Sequence, residues 1–348
     1  MSKSPSIYLL LLAAMALSLS CGRLLRDGQE RAGTYPFSVG VALDGAVRTR
    51  ADAYTERQDY EEIIGSVQYF VFGQDGLEVY ESTASAGAHR FSLTGGDKTI
   101  YAVVNGPDLQ DIATEEALLS QTFYLEDESR TEGFQMMGSS RVSVSETSLE
   151  ATVRVSRIAS RIALMSVANA LPDSASTLEI ERVWLSNVRG DWSASPSGEP
   201  VWHNRQGRGD SARESIIGGN AARGIPEAAQ MTYLAVGQSA SVPSPFIPEV
   251  PLLLYCYPNA STVTPDGWQS WDSGGQRTTL VIEAKLDGES CYYPIVLEGI
   301  GRNCAYTVYA TIHGTGSDDP NDPVDKTAAG ISINVGAWED GGAVIAEY

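Results

Sequence analysis

The residue types that carry most enzyme chemistry are sparse in this chain of 348 residues and form no catalytic pattern. Its three histidines, His89, His203 and His313, lie far apart in sequence, and none stands at a metal-ligand spacing from another histidine or a cysteine. The sequence has no Gly-x-Ser-x-Gly motif before a helix and no glycine-rich phosphate loop. The acidic residues 318–322 lack the central glycine and closing glutamate of an EF-hand calcium loop. We therefore predict a protein that is not an enzyme and uses no metal or cofactor.

Cys21 is the residue whose context predicts a covalent modification. Lys3 precedes an apolar run over residues 7–19, which has the length of a signal-peptide core and is shorter than the roughly 20 residues of a spanning helix. The leader resembles a bacterial lipoprotein signal, although Ser18 stands where that signal usually has an apolar residue. The resemblance implies that residues 1–20 are removed and that lipid on Cys21 attaches the protein to the outer membrane. The alternative is an ordinary secretory signal cleaved nearby, and both interpretations predict export.

The composition limits the classes of partner. Lys and Arg number 24 against 44 Asp and Glu, which gives a formal net charge of −20. A phosphate backbone requires a basic face, so we exclude nucleic acid as a partner. Hydrophobic residues form 43% and charged residues 20% of the chain, as in globular proteins, and the length predicts two domains. Cys256, Cys291 and Cys304 are an odd number for disulfide pairing, and the sequence leaves their pairing open.

The first element that must position functional residues is a strand near the start of the mature chain. Phe37, Val39, Val41 and Leu43 recur at every second position, with small residues between them. This alternation predicts a strand with one large apolar face.

Most of the remaining chain also predicts strands. Asp287-Gly288 separates two of them and is a strong hairpin signal. The best helical candidate lies at residues 108–119. Many short strands with few helices indicate an all-β fold of two antiparallel β-sandwich domains, with their junction near Arg157. The other predicted strands lie at residues 67–72, 77–80, 91–93, 99–104, 141–144, 149–155, 158–167, 178–188, 231–235, 251–257, 278–286, 291–297, 306–314 and 331–335.

The order of the motifs resembles the fimbrillin family, the type V pilins of Bacteroides-like bacteria, which include major fimbrial subunits and accessory relatives. No single piece is specific, but their order and spacing run through essentially the whole chain. The pieces are the lipoprotein-type residues 18–21, the first strand with Arg48-Thr-Arg50-Ala51 after it, and residues 67–76, 100–105, 134–138, 153–162, 254–259, 292–295, 302–306, 314–320 and 331–338.

The resemblance implies two transthyretin-like sandwiches and a maturation step. In the family, a trypsin-like, Arg-specific protease cuts after an arginine beyond the first strand, and that strand is lost. Arg50-Ala51 matches the family's position best, and Arg48 is the second choice. Residues 21–50 would then be a tether and removable strand, followed by an N-terminal domain at 51–157 and a C-terminal domain at 158–348.

The resemblance also implies that a terminal strand of another copy fills the vacated groove by donor-strand exchange. The candidate donor is the tail, in which Val344 with Ala346, or Ile345, could enter the groove after a hinge at Gly341-Gly342. Because this tail is short, residues 331–335 and the tail could act as one unit. Alternatively, the tail could complete the C-terminal sandwich.

The expected function is a structural subunit of a surface fimbria that supports adhesion to a host or bacterial surface ligand. Its partners would be other copies of the chain and accessory fimbrial subunits. One alternative is an accessory tip or anchor subunit. Another, from a different class, is a surface lipoprotein that binds glycans through tryptophan platforms. The six tryptophans are Trp184, Trp192, Trp202, Trp268, Trp271 and Trp338.

Overall fold

Strands are the main element of the described residues, and helix is limited to three short segments there, which confirms the predicted all-β class. A computed structural model describes residues 33–44, 59–84, 87–173, 175–198, 200–204, 233–240, 252–260, 277–297, 299–320, 324 and 329–337. No helix within these ranges is long and apolar enough to span a bilayer.

The first half of the chain has eight described strands, and the described short helical segments lie between them. The strands are β1 (Thr34–Leu43), β2 (Val67–Gly73), β3 (Gly76–Thr83), β4 (His89–Thr94), β5 (Gly96–Val104), β6 (Phe123–Tyr124), β7 (Met136–Val144) and β8 (Glu150–Arg157). The helical segments are the 3-10 turns η1 (Asp59–Glu62) and η2 (Leu125–Asp127) and the helix α1 (Glu115–Leu119).

Among the described residues, the second half of the chain adds eleven strands. They are β9 (Ser160–Asn169), β10 (Leu178–Ser186), β11 (Val188–Arg189), β12 (Asp191–Trp192), β13 (Trp202–His203), β14 (Tyr233–Ala240), β15 (Leu252–Cys256), β16 (Thr279–Leu286), β17 (Glu289–Val296), β18 (Cys304–Ile312) and β19 (Ala329–Ala337).

Two layers form the first half. The order β3-β2-β5-β7 makes one antiparallel layer, and β8-β1-β4 makes the other. Within the second layer, β1 runs antiparallel to β4 and parallel to β8. The layers join at one corner, where Met136 and Met137 of β7 pair with Arg157 and Ser156 of β8.

The second half repeats this arrangement strand for strand. The order β14-β10-β16-β17 corresponds to β3-β2-β5-β7, and β15-β9-β18 corresponds to β4-β1-β8. The strand β9 is antiparallel to β15 and parallel to β18, as β1 is to its own neighbours. Within the two four-stranded sheets of the second half, β19 is the one strand without a counterpart among the described residues of the first half, and it pairs with the outer side of β18. The repeated seven-strand core is therefore complete without β19.

The predicted strands are confirmed, usually with one or more residues added at an end. The predicted hairpin joins β16 to β17, and Asp287 and Gly288 have the positive φ values of 51° and 89° that a two-residue hairpin turn requires. The predicted strand at 178–188 is interrupted at Asn187, whose φ of 51° ends β10 before β11 begins.

The helix predicted at residues 108–119 is wrong over most of its length, because only Glu115–Leu119 is helical. The Gln68 side chain accepts a hydrogen bond from the Leu109 N–H at 2.9 Å, and Asp108 accepts one from the Gln110 N–H at 3.1 Å. These side-chain oxygens therefore accept hydrogen bonds from backbone N–H groups and stabilise a non-helical turn. Thr114 then caps the helix by accepting from the Ala117 N–H at 3.1 Å.

Candidate functional site

The strand β1 is the candidate functional element, because it occupies the middle of its layer. Ser38 lies opposite Arg90 of β4 on one side and opposite Glu150 of β8 on the other. The backbone N–H of Ser38 donates to the Leu149 carbonyl at 2.8 Å. Loss of β1 would therefore leave two strand edges unpaired, and unpaired edges promote association with another chain.

One face of β1 is apolar and points into the sandwich. Phe37 and Val39 are 0% exposed, and Val41 and Leu43 are partly buried against the same core. The four residues predicted to share a face do so. Tyr69 of the opposite layer also belongs to this buried core. The site left by β1 would be a groove lined by apolar side chains.

Side chains of the opposite layer hold β4 independently of β1. In the described residues, β1 is the only strand that pairs with β4. Glu78 of β3 accepts from the Thr94 backbone N–H at 2.5 Å and lies 2.6 Å from the Lys98 ammonium. At the other end of β4, His89 lies 2.8 Å from Glu81. Burial alone would raise the pKa of Glu78, but the hydrogen bonds from Lys98 and Thr94 outweigh it, and the net pKa is lowered.

Arg302 marks the end of the groove where β1 stops. Its guanidinium Nε donates to the Arg157 carbonyl at 3.1 Å, and its Nη2 donates to the Ser156 carbonyl at 2.7 Å and also to the Met137 carbonyl. These carbonyls belong to β8 and β7, so an arginine from the second half of the chain closes the corner where the two layers of the first half meet.

The charge of Arg302 is only partly compensated. Burial lowers the pKa of Arg302 to about 10, and the neighbouring charge of Asp44, the residue directly after β1, acts in the opposite direction. The guanidinium carbon also lies 4.8 Å from the centre of the Trp192 ring, in a cation–π contact.

A buried polar cluster attaches η1 to the second half of the chain. Glu61 is 0% exposed, and its carboxylate lies 3.0 Å from Arg161 of β9 and 2.7 Å from the Tyr255 hydroxyl of β15. The Arg157 Nε donates to the Glu61 carbonyl at 2.8 Å, and the Tyr60 and Tyr255 hydroxyls are 2.7 Å apart. Burial raises the pKa of Tyr255, and the nearby Glu61 charge raises it further. The first described segment after β1 is thus fixed by charge-assisted hydrogen bonds.

Sequence reasoning missed this cluster and Arg302. The available signal was two arginines, Arg157 and Arg161, within otherwise apolar strands, since buried arginines are almost always paired. Their partner Glu61 lies 100 residues from Arg161 in sequence, so no local pattern connects them.

Several predicted site residues lie outside the described residues. The structure does describe the remaining cysteines: Cys256 and Cys291 are buried, Cys304 is half-buried, and all three are free thiols. In the part of the chain that the structure describes, no group of three or more His, Cys, Asp or Glu residues could hold a metal ion. The predicted residues outside it are the lipidation residue Cys21, the processing residues Arg48, Arg50 and Ala51, and the tail residues Val344, Ile345 and Ala346.

The three described tryptophans are engaged within the protein. Trp184 is 2% exposed, and Trp192 packs between Phe123, at 5.8 Å between ring centres, and Arg302. The Trp202 ring lies 5.7 Å from the Arg189 guanidinium carbon.

Solved structures with this fold include proteins of fimbriae. A protein from Bacteroides eggerthii that is named for cell adhesion has a TM-score of 0.61 and 17% identity, with 88% of this chain and 97% of that chain covered. A fimbrilin (FimA) from Porphyromonas gingivalis has a TM-score of 0.55 and 13% identity, with 91% and 99% covered. The tip fimbrial protein Mfa3 from the same species, with a C-terminal truncation, has a TM-score of 0.52 and 12% identity, with 88% and 100% covered.

The chain has the fimbrillin fold. The resemblance found in the sequence motifs is confirmed at this level, over nearly the full length of each solved chain. No family model matches the sequence, and no curated protein matches it. The likeness to the fimbrillin fold therefore rests on the arrangement of strands.

Proposed function

We propose that this protein is a structural subunit of a cell-surface fimbria that polymerises by donor-strand exchange. The observation that carries the proposal is β1, which is hydrogen-bonded on both sides, has an apolar face, and precedes the segment with Arg48 and Arg50. Its removal would expose an apolar groove and unpaired backbone groups, which is costly in water. A strand from another copy would satisfy both. The fimbrial proteins that share the fold support this assignment.

In this proposal the precursor is exported with lipid on Cys21 and is displayed on the outer membrane until an Arg-specific protease cuts between Arg50 and Ala51. Residues 51–157 and 158–348 then form the two domains of the working subunit. The strand β8 pairs with β1 of the first half, whereas the next strand, β9, pairs with β18 of the second half, and this supports that division. The contacts of Glu61 would keep the chain beyond the cut attached while residues 21–50 depart.

The proposed donor is β19 together with the tail that contains Val344, Ile345 and Ala346. The repeated core supports this choice, because β19 has no counterpart among the described strands of the first half and pairs with β18 outside the seven repeated strands. The Gly341-Gly342 hinge would let the tail follow.

Limited proteolysis of the purified precursor tests the proposal. We expect an Arg-specific protease to yield a chain that begins at Ala51 and then forms fibres visible by electron microscopy. The matched variants are Arg50→Gln, which should block both events, and Arg48→Gln, which should block neither. Fibres whose subunits still begin at Cys21 would refute the processing step.

An accessory role is the second candidate, because a tip fimbrial protein shares the fold as well as a fimbrilin. An anchor subunit would keep its lipid and escape cleavage. Mass spectrometry of isolated fibres separates the two roles: many processed copies along the fibre indicate a shaft subunit, and one lipidated copy at its base indicates an anchor.

A further inference from the structure

We propose that Arg302 fixes the direction and register of the incoming strand by binding the acidic pair Glu339-Asp340 that follows β19 of a second copy. This inference rests on the proposed strand exchange and adds to it a residue that selects one alignment of the donor.

The position of Arg302 relative to β1 is the first argument. Leu43, the last residue of β1, lies opposite Val155, and the Asp44 N–H donates to the Val155 carbonyl at 2.7 Å. Arg302 donates hydrogen bonds to the carbonyls of the next two residues of β8, Ser156 and Arg157. The guanidinium therefore lies directly beyond the point at which any strand in the place of β1 must end.

Charge is the second argument. A cut after Arg50 removes Asp44 together with β1, and Asp44 is the one carboxylate among the described residues whose charge raises the pKa of Arg302. Among the described residues, the arginine that remains would have backbone carbonyls, the Trp192 ring and Tyr257 as its neighbours. A carboxylate is the strongest hydrogen-bonding complement of a guanidinium, and a partly desolvated cation gains from such a partner.

The sequence of β19 is the third argument. Its segment Ile331-Ser-Ile-Asn-Val335 repeats the pattern Phe37-Ser-Val-Gly-Val41 of β1, with apolar residues at the same spacing and small or polar residues between them. Ala337 then takes the place of Leu43 and Trp338 that of Asp44, and the acidic pair Glu339-Asp340 follows directly after. In the reverse direction the acidic pair would lie at the opposite end of the groove, away from Arg302. The alternating pattern fits either direction, and the charge of Arg302 favours the one that is parallel to β8.

The residue on the outer face of the strand is also the same type in this alignment. Ser38 of β1 lies opposite Arg90, and the donor residue that replaces it is Ser332. The shorter tail at residues 343–348 offers fewer apolar side chains at period 2 and is the competing occupant.

Cysteine cross-linking tests the register. We expect cleaved chains that carry Ser332→Cys and Arg90→Cys to form disulfide-linked ladders under mild oxidation. The matched control, Asn334→Cys with Arg90→Cys, is displaced by two residues and should not cross-link. Chains with one introduced cysteine control for the native thiols. Fibres that cross-link through Val344→Cys and Arg90→Cys instead would overturn the register.

Charge removal tests the role of Arg302. The double variant Glu339→Gln with Asp340→Asn leaves the apolar residues of the donor strand unchanged and should slow fibre growth by about tenfold to a hundredfold, as expected for loss of a charge-assisted hydrogen bond. The control Glu347→Gln should grow at the normal rate. Normal growth of the double variant would overturn the inference but leave strand exchange intact. Failure of the unmodified cleaved chain to form fibres would overturn strand exchange itself.

Discussion

Replacing Phe37 with alanine tests whether β1 is present in the precursor and absent from the fibre. The Phe37 side chain is 0% exposed and lies in the apolar core, opposite Phe91 of β4. Truncation of a buried phenylalanine to alanine costs about 3–5 kcal/mol, since it removes apolar burial and leaves a cavity. We expect the free energy of unfolding of the intact precursor to fall by this amount in urea titrations.

Phe37→Ala should also weaken the binding of the cleaved peptide to the rest of the protein. Residues 21–50 are then held without a covalent bond, so the lost energy appears as weaker binding. At 1.4 kcal/mol for each factor of ten, the dissociation constant of the peptide should rise by about two to three and a half orders of magnitude. Gel filtration of the cleaved protein measures peptide release, and we expect fibre growth to begin sooner.

Phe70→Ala is the matched control. Phe70 is also 0% exposed, but it lies on β2, which the cut does not remove. It should weaken both the precursor and the fibre against heat or denaturant, whereas Phe37→Ala should weaken the precursor alone. Phe37→Ala fibres that are as weak as Phe70→Ala fibres would show that β1 stays in the fibre, and the strand-exchange reasoning would fail.

Three further variants test the packing of the sandwiches. A Cβ at Gly138 would overlap the Arg154 carbonyl oxygen, so Gly138→Ala should lower the free energy of unfolding by about 3 kcal/mol or more, and an unchanged urea midpoint would contradict the layer contact. The buried Tyr69 hydroxyl finds no hydrogen-bond partner among the described residues, so Tyr69→Phe should leave the melting temperature unchanged or raise it, and a clear drop would indicate a missed partner. Burial raises the pKa of Glu128 from 4.5 to about 8, so the folded protein holds a proton that the unfolded chain releases between these pH values. Stability should therefore fall as pH rises through this window, by up to about 1.4 kcal/mol per unit, and Glu128→Gln should remove the slope in urea titrations at several pH values.

The sequence predicts the local elements well, because burial on one side of a sheet imposes a period of two. The alternation from Phe37 to Leu43 predicts both the strand and its inward face, and the structure has both. The wrong helix prediction at residues 108–119 shows the limit of local sequence patterns. Its outcome depends on Gln68, about 40 residues away, whose side chain binds the Leu109 N–H.

The sites at the junction of the two halves depend even more on distant residues. Glu61 is 194 residues from Tyr255, and Arg302 is 146 residues from Ser156. A polar residue in an apolar stretch indicates that a partner exists, but only the arrangement of strands shows which residue it is. The repeated strand order of the two halves is likewise visible in the pairing pattern and not in the sequence.

The acidity of the chain makes the electrostatic interaction between subunits repulsive. Residues 1–50 contain six basic and three acidic residues, so a subunit cut as proposed before Ala51 would carry 18 basic and 41 acidic residues and a formal net charge of −23. Like charges of this size oppose contact between subunits and help to keep filaments apart in solution. Association must then rest on apolar burial and backbone pairing in the groove, neither of which distinguishes one register of an alternating strand from another shifted by two residues. In the proposed exchange, Arg302 at one end of the groove would supply that distinction, because the acidic pair would reach it in one alignment and one direction only. The proposed loss of β1 would also remove Asp44 and make this cation available when the groove opens.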